Sequence, residues 1–395
     1  MRSGGLSAAL PRTVVTLGLV SLANDAASEM LTPLLPIFLT ATLGAGPAVV
    51  GLIEGVAEAT ASILKVVSGR LADRGLGAKR LVFTGYGAST LARPLIGLAL
   101  GWTWVLALRF VDRVGKGIRT APRDAMIAGA VAPGSLGRAF GFHRALDHGG
   151  AVIGPLLAFL LLWLGADVGH VFYWSAIPGL IVIALIVFGL PADGPVVVTV
   201  PPPLSFRALD PRLKAMMLAA GLLALAALPE VFMVLWATSV GMPIAMVPLA
   251  WALASAVKML VAMPAGHLSD RFGRVPVLLV GWSLRVVLLL SLATVAMTGA
   301  WIWVLFVSYA ASLAVTEAPE RSLVGDATPE GLRGTAFGAY HFIIGVFTLP
   351  GAFMLGLIWQ EFGSSAAFCT AAGITVVAAV AMILTLYAGR RPVTP

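Results

Sequence analysis

An internal duplication is the feature that most constrains the fold of this chain. The same residue pattern returns after 197 residues at three separated places. The matching segments are Ala121–Asp124 with Ala318–Arg321, Arg138–Gly141 with Thr335–Gly338, and Gly69–Arg74 with Gly266–Arg271. Because one offset holds along most of the chain, the sequence predicts two tandem copies of a unit of half the length.

The composition places both copies in a membrane. Of the 395 residues, 59% are hydrophobic and only 11% are charged, whereas a soluble domain carries about 25% charged residues. A bilayer-spanning helix needs about 20 apolar residues. The predicted helices cover residues 13–40, 47–69, 80–100, 102–120, 139–164, 169–190, 212–238, 244–266, 276–298, 300–321, 334–359 and 364–388. We therefore expect an all-α membrane protein with twelve transmembrane helices in two pseudo-symmetric six-helix bundles.

Proline content marks the boundary between the two copies. Residues 191–211 form a Pro-rich segment that suits a semi-rigid cytoplasmic linker. Residues 1–190 are then the N-terminal bundle and residues 212–395 the C-terminal bundle. The first hydrophobic stretch is long and contains Asp25 and Glu29, so we expect it to be a retained helix and not a cleaved signal peptide.

The formal net charge of +8 has a topological explanation. Most of the 26 Lys and Arg residues lie at the termini or in alternate connections between the predicted helices. They are absent from the intervening connections, near residues 42–47, 100–102, 165–170, 239–243, 298–300 and 360–364. This asymmetry follows the positive-inside rule and predicts that both termini are cytoplasmic. The basic excess therefore gives no reason to expect a nucleic-acid partner.

Two loops carry a family signature. Each follows the second helix of its copy, and their residues resemble the G-x-x-x-D-R-x-G-R-[RK] motif that joins helices 2 and 3 in the major facilitator superfamily. The matching positions are Gly266, Asp270 and Arg271 in the second copy and Gly69, Asp73 and Arg74 in the first. In the first copy the later glycine and basic residues of the motif are displaced. The resemblance implies that the charges of these loops stabilise the outward-facing state of a transporter.

The fifth and fourth helices carry further resemblances. Gly150, Gly154 and Pro155 resemble the G-x-x-x-G-P motif of proton-linked exporters in the same superfamily, although glycine-rich helix packing without antiport is the alternative. Arg109 matches the family's buried arginine, which tunes a proton site, and the run Asp112–Asp124 is similar to a subgroup of bacterial permeases. The resemblance implies a transporter of the bacterial inner membrane that functions as a monomer among membrane lipids.

Charged residues inside the predicted helices are candidates for proton coupling. A charge at the bilayer centre costs at least about 2.5–3.5 kcal/mol on insertion scales, so each one needs a partner or a function. Carboxylates occur four residues apart, and so on one helix face, in the first and second helices. Clustered, buried carboxylates are suited to taking up and releasing protons. The predicted proton-coupling residues are Asp25, Glu58, Asp112 and Arg109, with structural ion pairs between helices as the alternative for each.

Other polar and aromatic residues in the helices are candidates for a substrate site. His143 and Asp147 share one face of the fifth helix, an arrangement that can relay protons or bind a transition metal. Pro229 predicts a bend in the seventh helix. The candidate substrate-binding residues are Glu29, Glu54, Arg113, His143, Asp147, His148, Glu230, Trp236 and His341. Since the first half is richer in charge, we expect proton coupling in the first half and a more apolar wall of the substrate site in the second half.

Together these patterns predict a secondary active transporter that exports a small molecule by proton-coupled alternating access, with the proton gradient as its energy source and no cofactor. A transporter of a metal ion or metal chelate is the first alternative, although no resident metal is assigned. The residues that motivate it are His143, Asp147, His148, Asp25 and Glu29. An organic-anion carrier organised around Arg109, Arg113, Arg144 and Arg285 is the second, and a phospholipid flippase also stays open. An enzyme is not expected, because the sequence shows no nucleophile–base arrangement, P-loop or dinucleotide fingerprint.

Overall fold

The fold is built almost entirely from long helices. The computed structural model describes residues 10–73, 77–132, 135–192, 211–294, 298–326 and 333–387. We number the spans α1 to α12 in chain order. Their bounds are Arg12–Leu31 for α1, Pro47–Asp73 for α2, Ala78–Ile96 for α3, Trp102–Gly129 for α4, Leu136–Trp163 for α5, Val168–Trp174 with Ala176–Gly189 for α6, Pro211–Ala226 with Val231–Ser239 for α7, Val247–Phe272 for α8, Arg274–Thr294 for α9, Ala300–Asp326 for α10, Arg333–Phe362 for α11 and Ser364–Tyr387 for α12.

The twelve predicted spans are confirmed. Ten of them are long and apolar enough to cross a membrane, and the two others are α3 and α4. Helix α4 is not apolar enough because it carries a row of charged residues. Of these, Arg109, Asp112 and Arg119 are each less than 5% exposed. These charges face neighbouring helices and not lipid, as intramembrane charges generally do.

Several helices run further than the sequence predicted, among them α2 and α8, which end at Asp73 and Phe272. Helices α4 and α10 continue past residues 120 and 321, to Gly129 and Asp326. Each contains an internal proline, Pro122 in α4 and Pro319 in α10. A proline removes one backbone hydrogen bond, but a packed membrane helix can continue through it because neighbouring groups satisfy the freed carbonyl.

The helix packing repeats the sequence duplication. In the first half, α1 packs on α5 and α6, α4 packs on α2 and α3, and α3 packs on α6. The second half has the same neighbours at positions shifted by six helices: α7 with α11 and α12, α10 with α8 and α9, and α9 with α12. The chain therefore folds as two pseudo-symmetric bundles of six helices.

The first helix of each half is interrupted at an equivalent place. After Leu31 the chain makes a turn, followed by the short helix Leu35–Ile37 and a π-helical segment, Phe38–Thr42. In α7 the helix stops at Ala226 and resumes at Val231. Each interruption contains a proline, which lacks the backbone N–H that a continuous helix requires. Interrupted helices in corresponding positions of two repeats typically border the binding site of a transporter.

The two halves meet through α2 with α11 and α5 with α8. Along α2 and α11 the contact depends on glycine. A Cβ atom added to Gly51 would collide with the carbonyl oxygen of Ala352, and one added to Gly356 would lie 2.6 Å from the carbonyl oxygen of Pro47. Small residues at these positions allow the two backbones to approach closely.

Among the described residues, the hydrophobic packing shared by both halves lies toward one end of the molecule. A large hydrophobic cluster draws on both halves near the connections at residues 43–46 and 240–243, and includes Phe38, Phe232 and Leu355. At the opposite end, near residues 130–135 and Gly273, the clusters of the described residues each draw on one half. We call these the closed end and the open end.

Candidate functional site

A cavity of about 710 Å³ lies between the halves. The interruptions of α1 and α7 both border it, through Thr32 and through Pro229 with Glu230. Its volume is in the range of small-molecule sites, about 300–1,000 Å³. Because the described hydrophobic clusters at the open end do not join the halves, rocking of the two bundles would change access to the cavity from that end.

The walls of the cavity differ in polarity. The first half contributes the carboxylates Glu29, Glu54 and Glu58 and the cations Arg113 and Lys116. Arg144 and His148 of α5 also line it. The second half contributes the apolar side chains of Pro229, Val231, Trp251, Ala262 and Ala314, with Ser255, Glu230, Lys258 and Glu317. Most of the cavity's charge is therefore carried by α1, α2, α4 and α5.

A buried ionic network lies behind the first-half wall. Arg93 Nε donates to Asp112 Oδ1 at 3.0 Å, and Arg93 Nη1 donates to Asn24 Oδ1 at 3.0 Å. Arg109 Nη1 lies 3.7 Å from Asp112 Oδ2, while Arg109 Nη2 donates to Glu54 Oε1 at 2.6 Å. The network thus runs from α1 through α3 and α4 to Glu54 in the cavity wall. Each charge has a counter-charge, which offsets much of the desolvation cost of burial.

A pair of carboxyl groups joins this network at the contact of α1 with α5. Asp25 Oδ1 accepts a hydrogen bond from Asn24 Nδ2 at 2.9 Å, and the Asp25 carboxyl also lies within hydrogen-bonding reach of the Asp147 carboxyl. Ser21 Oγ donates to Asp147 Oδ1 at 2.5 Å, and Arg144 Nη1 donates to Asp147 Oδ2 at 3.1 Å. Two carboxyl groups can share a hydrogen bond only when one of them carries a proton.

The glycines of α5 bring these two carboxyl groups together. A Cβ added to Gly150 would collide with the Leu22 carbonyl oxygen and lie 2.9 Å from Asp25 Cβ. One added to Gly154 would collide with the carbonyl oxygen of Ala26. Helix α5 continues through Pro155. The glycines of the G-x-x-x-G-P sequence therefore hold α5 directly against the segment of α1 that carries Asp25.

One hydrogen bond crosses the cavity between the halves. Trp251 Nε1 in α8 donates to Glu29 Oε2 in α1 at 2.8 Å, and Thr32 Oγ1 contributes a longer contact of 3.4 Å to the other oxygen of Glu29. The Lys258 ammonium lies 5.9 Å from the centre of the Trp251 ring and pairs with both carboxylate oxygens of Glu230, at 2.7 and 2.9 Å. A change in the charge or position of Glu29 would thus directly alter a hydrogen bond made by the second half.

The cavity brings together many of the predicted substrate residues. Glu29, Glu54, Arg113, His148 and Glu230 all line it, as does the predicted proton-coupling residue Glu58. Glu58 accepts a hydrogen bond of 3.3 Å from Ser62. Asp112 and Arg109 lie in the buried network, and Asp25 is in the carboxyl pair.

Other predicted residues lie away from the cavity lining. His143 and Trp236 are each 3% exposed, and Trp236 belongs to the hydrophobic cluster at the closed end. His341 packs edge-on against a neighbouring tyrosine. Asp147 contacts α1 instead of the cavity, and Arg285 donates to a threonine of α10 at 2.9 Å. The proposed His and carboxylate ligands therefore do not converge, and no group of three or more metal-binding side chains occurs among the described residues.

Sequence reasoning missed Trp251, Ser255 and Thr32 as cavity residues. A signal for two of them was present, because a shift of 197 residues carries Glu54 onto Trp251 and Glu58 onto Ser255. Along α2 and α8, these equivalent positions face the cavity even though the residue types differ. Applying the duplication residue by residue would have identified them.

The signature loops lie at the open end. In the second copy, Arg274 forms ion pairs with Asp270 and, at 3.0 Å, with Asp326 at the end of α10. Arg271 lies over the ring of its neighbour Phe272 at 5.3 Å, and a Cβ added to Gly266 would meet nothing within 4 Å. These pairs stay within the second half, in agreement with separated halves at this end.

In the first copy the loop is described only in part. The backbone of Gly69 and Asp73 belongs to α2. Arg74 lies outside the described residues. The predicted switching role of this copy stays a prediction.

Comparison with known proteins gives a consistent result across the chain. A family model described as Major Facilitator Superfamily matches residues 17–347 and 216–395. An uncharacterized MFS-type transporter of Methanocaldococcus jannaschii is 30% identical over 358 residues, which are 89% of this chain and 89% of the relative. The multidrug resistance protein MdtH of Photorhabdus laumondii is 32% identical over 145 residues, covering 34% of this chain and 36% of MdtH.

The fold is also found among solved structures. A crystal structure of the nucleoside transporter NupG superposes with a TM-score of 0.78. The match covers 95% of this chain and 99% of NupG, with 13% sequence identity. At this identity the likeness concerns the arrangement of helices.

Proposed function

Because the chain belongs to the major facilitator superfamily, we propose that it is a proton-coupled secondary transporter that exports a small molecule by alternating access. The family and the membrane-spanning helices indicate a multi-pass membrane transporter and not an enzyme. In this proposal residues 1–190 and 212–395 are the two moving bundles, residues 191–211 link them, and a single chain in the lipid bilayer is sufficient.

The observation that carries the proposal is the carboxyl pair Asp25–Asp147. It lies where α1 and α5 are in backbone contact through Gly150 and Gly154. Uptake or loss of a proton changes the hydrogen bonding of the pair, and α1 and α5 must adjust to it. Both helices reach the cavity, through Glu29 and Arg144, so a change in their packing would alter the substrate site.

The buried network gives the pair a second connection to the cavity. Asp25 is bonded to Asn24, Asn24 to Arg93, Arg93 to Asp112, and Asp112 contacts the guanidinium that holds Glu54. Hydrogen bonds in such a chain polarise one another, so a change of charge at one end affects the other. We place proton uptake at Asp25 and Asp147 and assign Asp112 and Arg109 to transmission.

The proposed direction is export. Partial similarity to the multidrug resistance protein MdtH favours it, as does the Gly-Pro sequence of α5. With both termini in the cytoplasm of a bacterial inner-membrane protein, the open end faces the cytoplasm and the cavity is accessible to an internal substrate. The loop around Asp270 would close this end in the outward-facing state.

The test is proton release in energised everted membrane vesicles. Respiration acidifies the vesicle interior and quenches a pH-sensitive dye, and addition of an exported molecule to the outside restores fluorescence when protons leave in exchange. We expect dequenching with the wild type for members of a panel of small charged and amphipathic molecules, and loss of it in Asp25→Asn and Asp147→Asn. The matched control is Asp124→Asn, whose side chain is 42% exposed. Wild-type dequenching in both pair variants would refute the coupling role.

The metal-ion alternative has less support from the geometry. His143 is buried, Asp147 is committed to Ser21 and Arg144, and His148 alone of the three lines the cavity. A divalent transition metal would need several of these groups around one point.

A further inference from the structure

Apart from His148 and Glu317, the charged residues of the cavity divide into two sets. One set forms closed ion pairs: Glu54 with Arg109 at 2.6 Å, Glu230 with Lys258 at 2.7 Å, and Arg144 with Asp147 at 3.1 Å. These groups already have a partner of opposite sign, so a ligand would gain little from displacing it. The second set consists of Arg113, Lys116, Glu29 and Glu58, whose nearest opposite charges lie 3.8 Å away or further, so these groups are available to a ligand.

The second set contains two cations on α4. Arg113 and Lys116 are three residues apart and both line the cavity, so they lie on one helix face. Arg113 Nε is buried without a hydrogen-bond partner and is 3.8 Å from the nearest Asp112 oxygen. Lys116 has no acidic group within ion-pair distance among the described residues. An anionic group between these side chains would satisfy both of them.

The second set also contains two carboxylates. Glu29 receives hydrogen bonds only from neutral groups, Trp251 Nε1 and Thr32 Oγ1, among the described residues. Glu58 accepts a hydrogen bond from Ser62, while Lys116 and Arg113 attract it electrostatically from beyond ion-pair distance. Both carboxylates line the same cavity as the two cations. A cationic group near them would supply a counter-charge at hydrogen-bonding distance.

We propose that the cavity binds a zwitterion, a small molecule with an anionic group for Arg113 and Lys116, a cationic group for Glu58 and Glu29, and an apolar body for the second-half wall. This inference rests on the proposed transport function and names its substrate class. Arg113 and Lys116 form one pair and Glu29 and Glu58 the other, and a ligand with a single charge would leave one of these pairs unsatisfied. Trp251 and Val231 give the apolar body a surface.

A zwitterionic substrate also accounts for exchange with protons. Uptake of a proton at Asp25 and Asp147 changes the packing of α1, which also carries Glu29, and so weakens binding of the cationic group. Protonation and substrate binding therefore compete. Competition of this kind is what an antiporter requires, because the substrate must leave when the proton is taken up.

The test compares matched ligands at equilibrium on the detergent-purified protein. Three series are used: L-phenylalanine with 2-phenylethylamine and 3-phenylpropanoate, 6-aminohexanoate with hexylamine and hexanoate, and phosphoethanolamine with ethanolamine and phosphate. We expect the zwitterion of at least one series to bind about tenfold or more tightly than both of its single-charge analogues, as the loss of one charge-assisted interaction of about 1.4 kcal/mol predicts. If in every series a single-charge analogue binds as tightly as the zwitterion, or if no zwitterion binds, the proposal is wrong.

Two variants test which residue binds the anionic group and which binds the cationic group of the zwitterion. Lys116→Gln should lower the affinity for the zwitterion about tenfold and leave the affinity for the amine analogue unchanged. Glu58→Gln should weaken the zwitterion and spare the carboxylate or phosphate analogue, with Glu361→Gln at the exposed end of α11 as the matched control. Melting temperatures without ligand check that the variants fold. Equal loss of all three ligands in a folded variant would contradict the assignment. These binding measurements use no proton gradient. A negative result would therefore refute the zwitterion proposal alone, because the coupling role of Asp25 and Asp147 is tested separately in the vesicle assay.

Discussion

Replacing Asp112 with alanine should destabilise the protein far more than replacing an acidic residue elsewhere on the same helix. The Asp112 side chain is 1% exposed and lies 3.0 Å from Arg93 and 3.7 Å from Arg109. Removing it leaves two guanidinium groups buried with fewer counter-charges, and breaking a buried pair costs about 3–5 kcal/mol. Asp124, also on α4, forms its 2.8 Å pair with Arg123 at a side chain that is 42% exposed, and an exposed pair contributes about 0–1 kcal/mol.

The assay is unfolding of the purified protein in mixed micelles with increasing denaturing detergent. We expect the free energy of unfolding to fall by several times more in Asp112→Ala than in Asp124→Ala. The double variant Arg93→Met with Asp112→Leu should recover part of the loss, because an apolar pair of similar volume needs no counter-charge. Equal losses in Asp112→Ala and Asp124→Ala would refute the assignment of Asp112 to a structural and transmitting network.

Three further substitutions have specific expected outcomes. Gly150→Ala places a methyl group against the α1 backbone and should cost about 1–3 kcal/mol in unfolding free energy, whereas Gly141→Ala, with nothing within 4 Å, should be neutral or stabilising by up to about 1 kcal/mol. Trp251→Phe removes the hydrogen bond to Glu29 that joins the halves, worth about 1.5–3 kcal/mol for a charged acceptor. It should raise the rate at which a cysteine placed in the cavity is alkylated from the closed end. Gly51→Val should raise the same rate by preventing α2 and α11 from closing, and unchanged rates in both variants would contradict the assigned contacts.

The helices could be predicted because membrane spans are recognisable by their apolar length. Their division into two equivalent sets of six followed from the duplication, and the structure agrees. The ends of α4 and α10 were harder to predict, because Pro122 and Pro319 interrupt the hydrogen-bond ladder without ending the helix. Local sequence shows the interruption and not the neighbours that compensate for it.

The site was predictable in part. Charged residues inside a span are costly, so Glu29, Glu54 and Arg113 could be identified as buried and functional candidates, and all three line the cavity. Aromatic residues gave no such signal: Trp236 packs in the closed end whereas Trp251 faces the cavity. Their chemistry is the same, and only the packing of the two halves determines which of them faces the cavity.

The most direct test of alternating access is a pair of distances between the halves. In a Cys369→Ser background, spin labels at Val67 and Leu268 report on the open end, and labels at Leu100 and Phe362 report on the closed end. These four positions are between 43% and 99% exposed. Between neutral and mildly acidic pH, we expect the two distances to change in opposite directions, and Asp25→Asn to abolish the response. Distances that stay constant, or that lengthen together, would contradict a proton-driven exchange of access between the two ends.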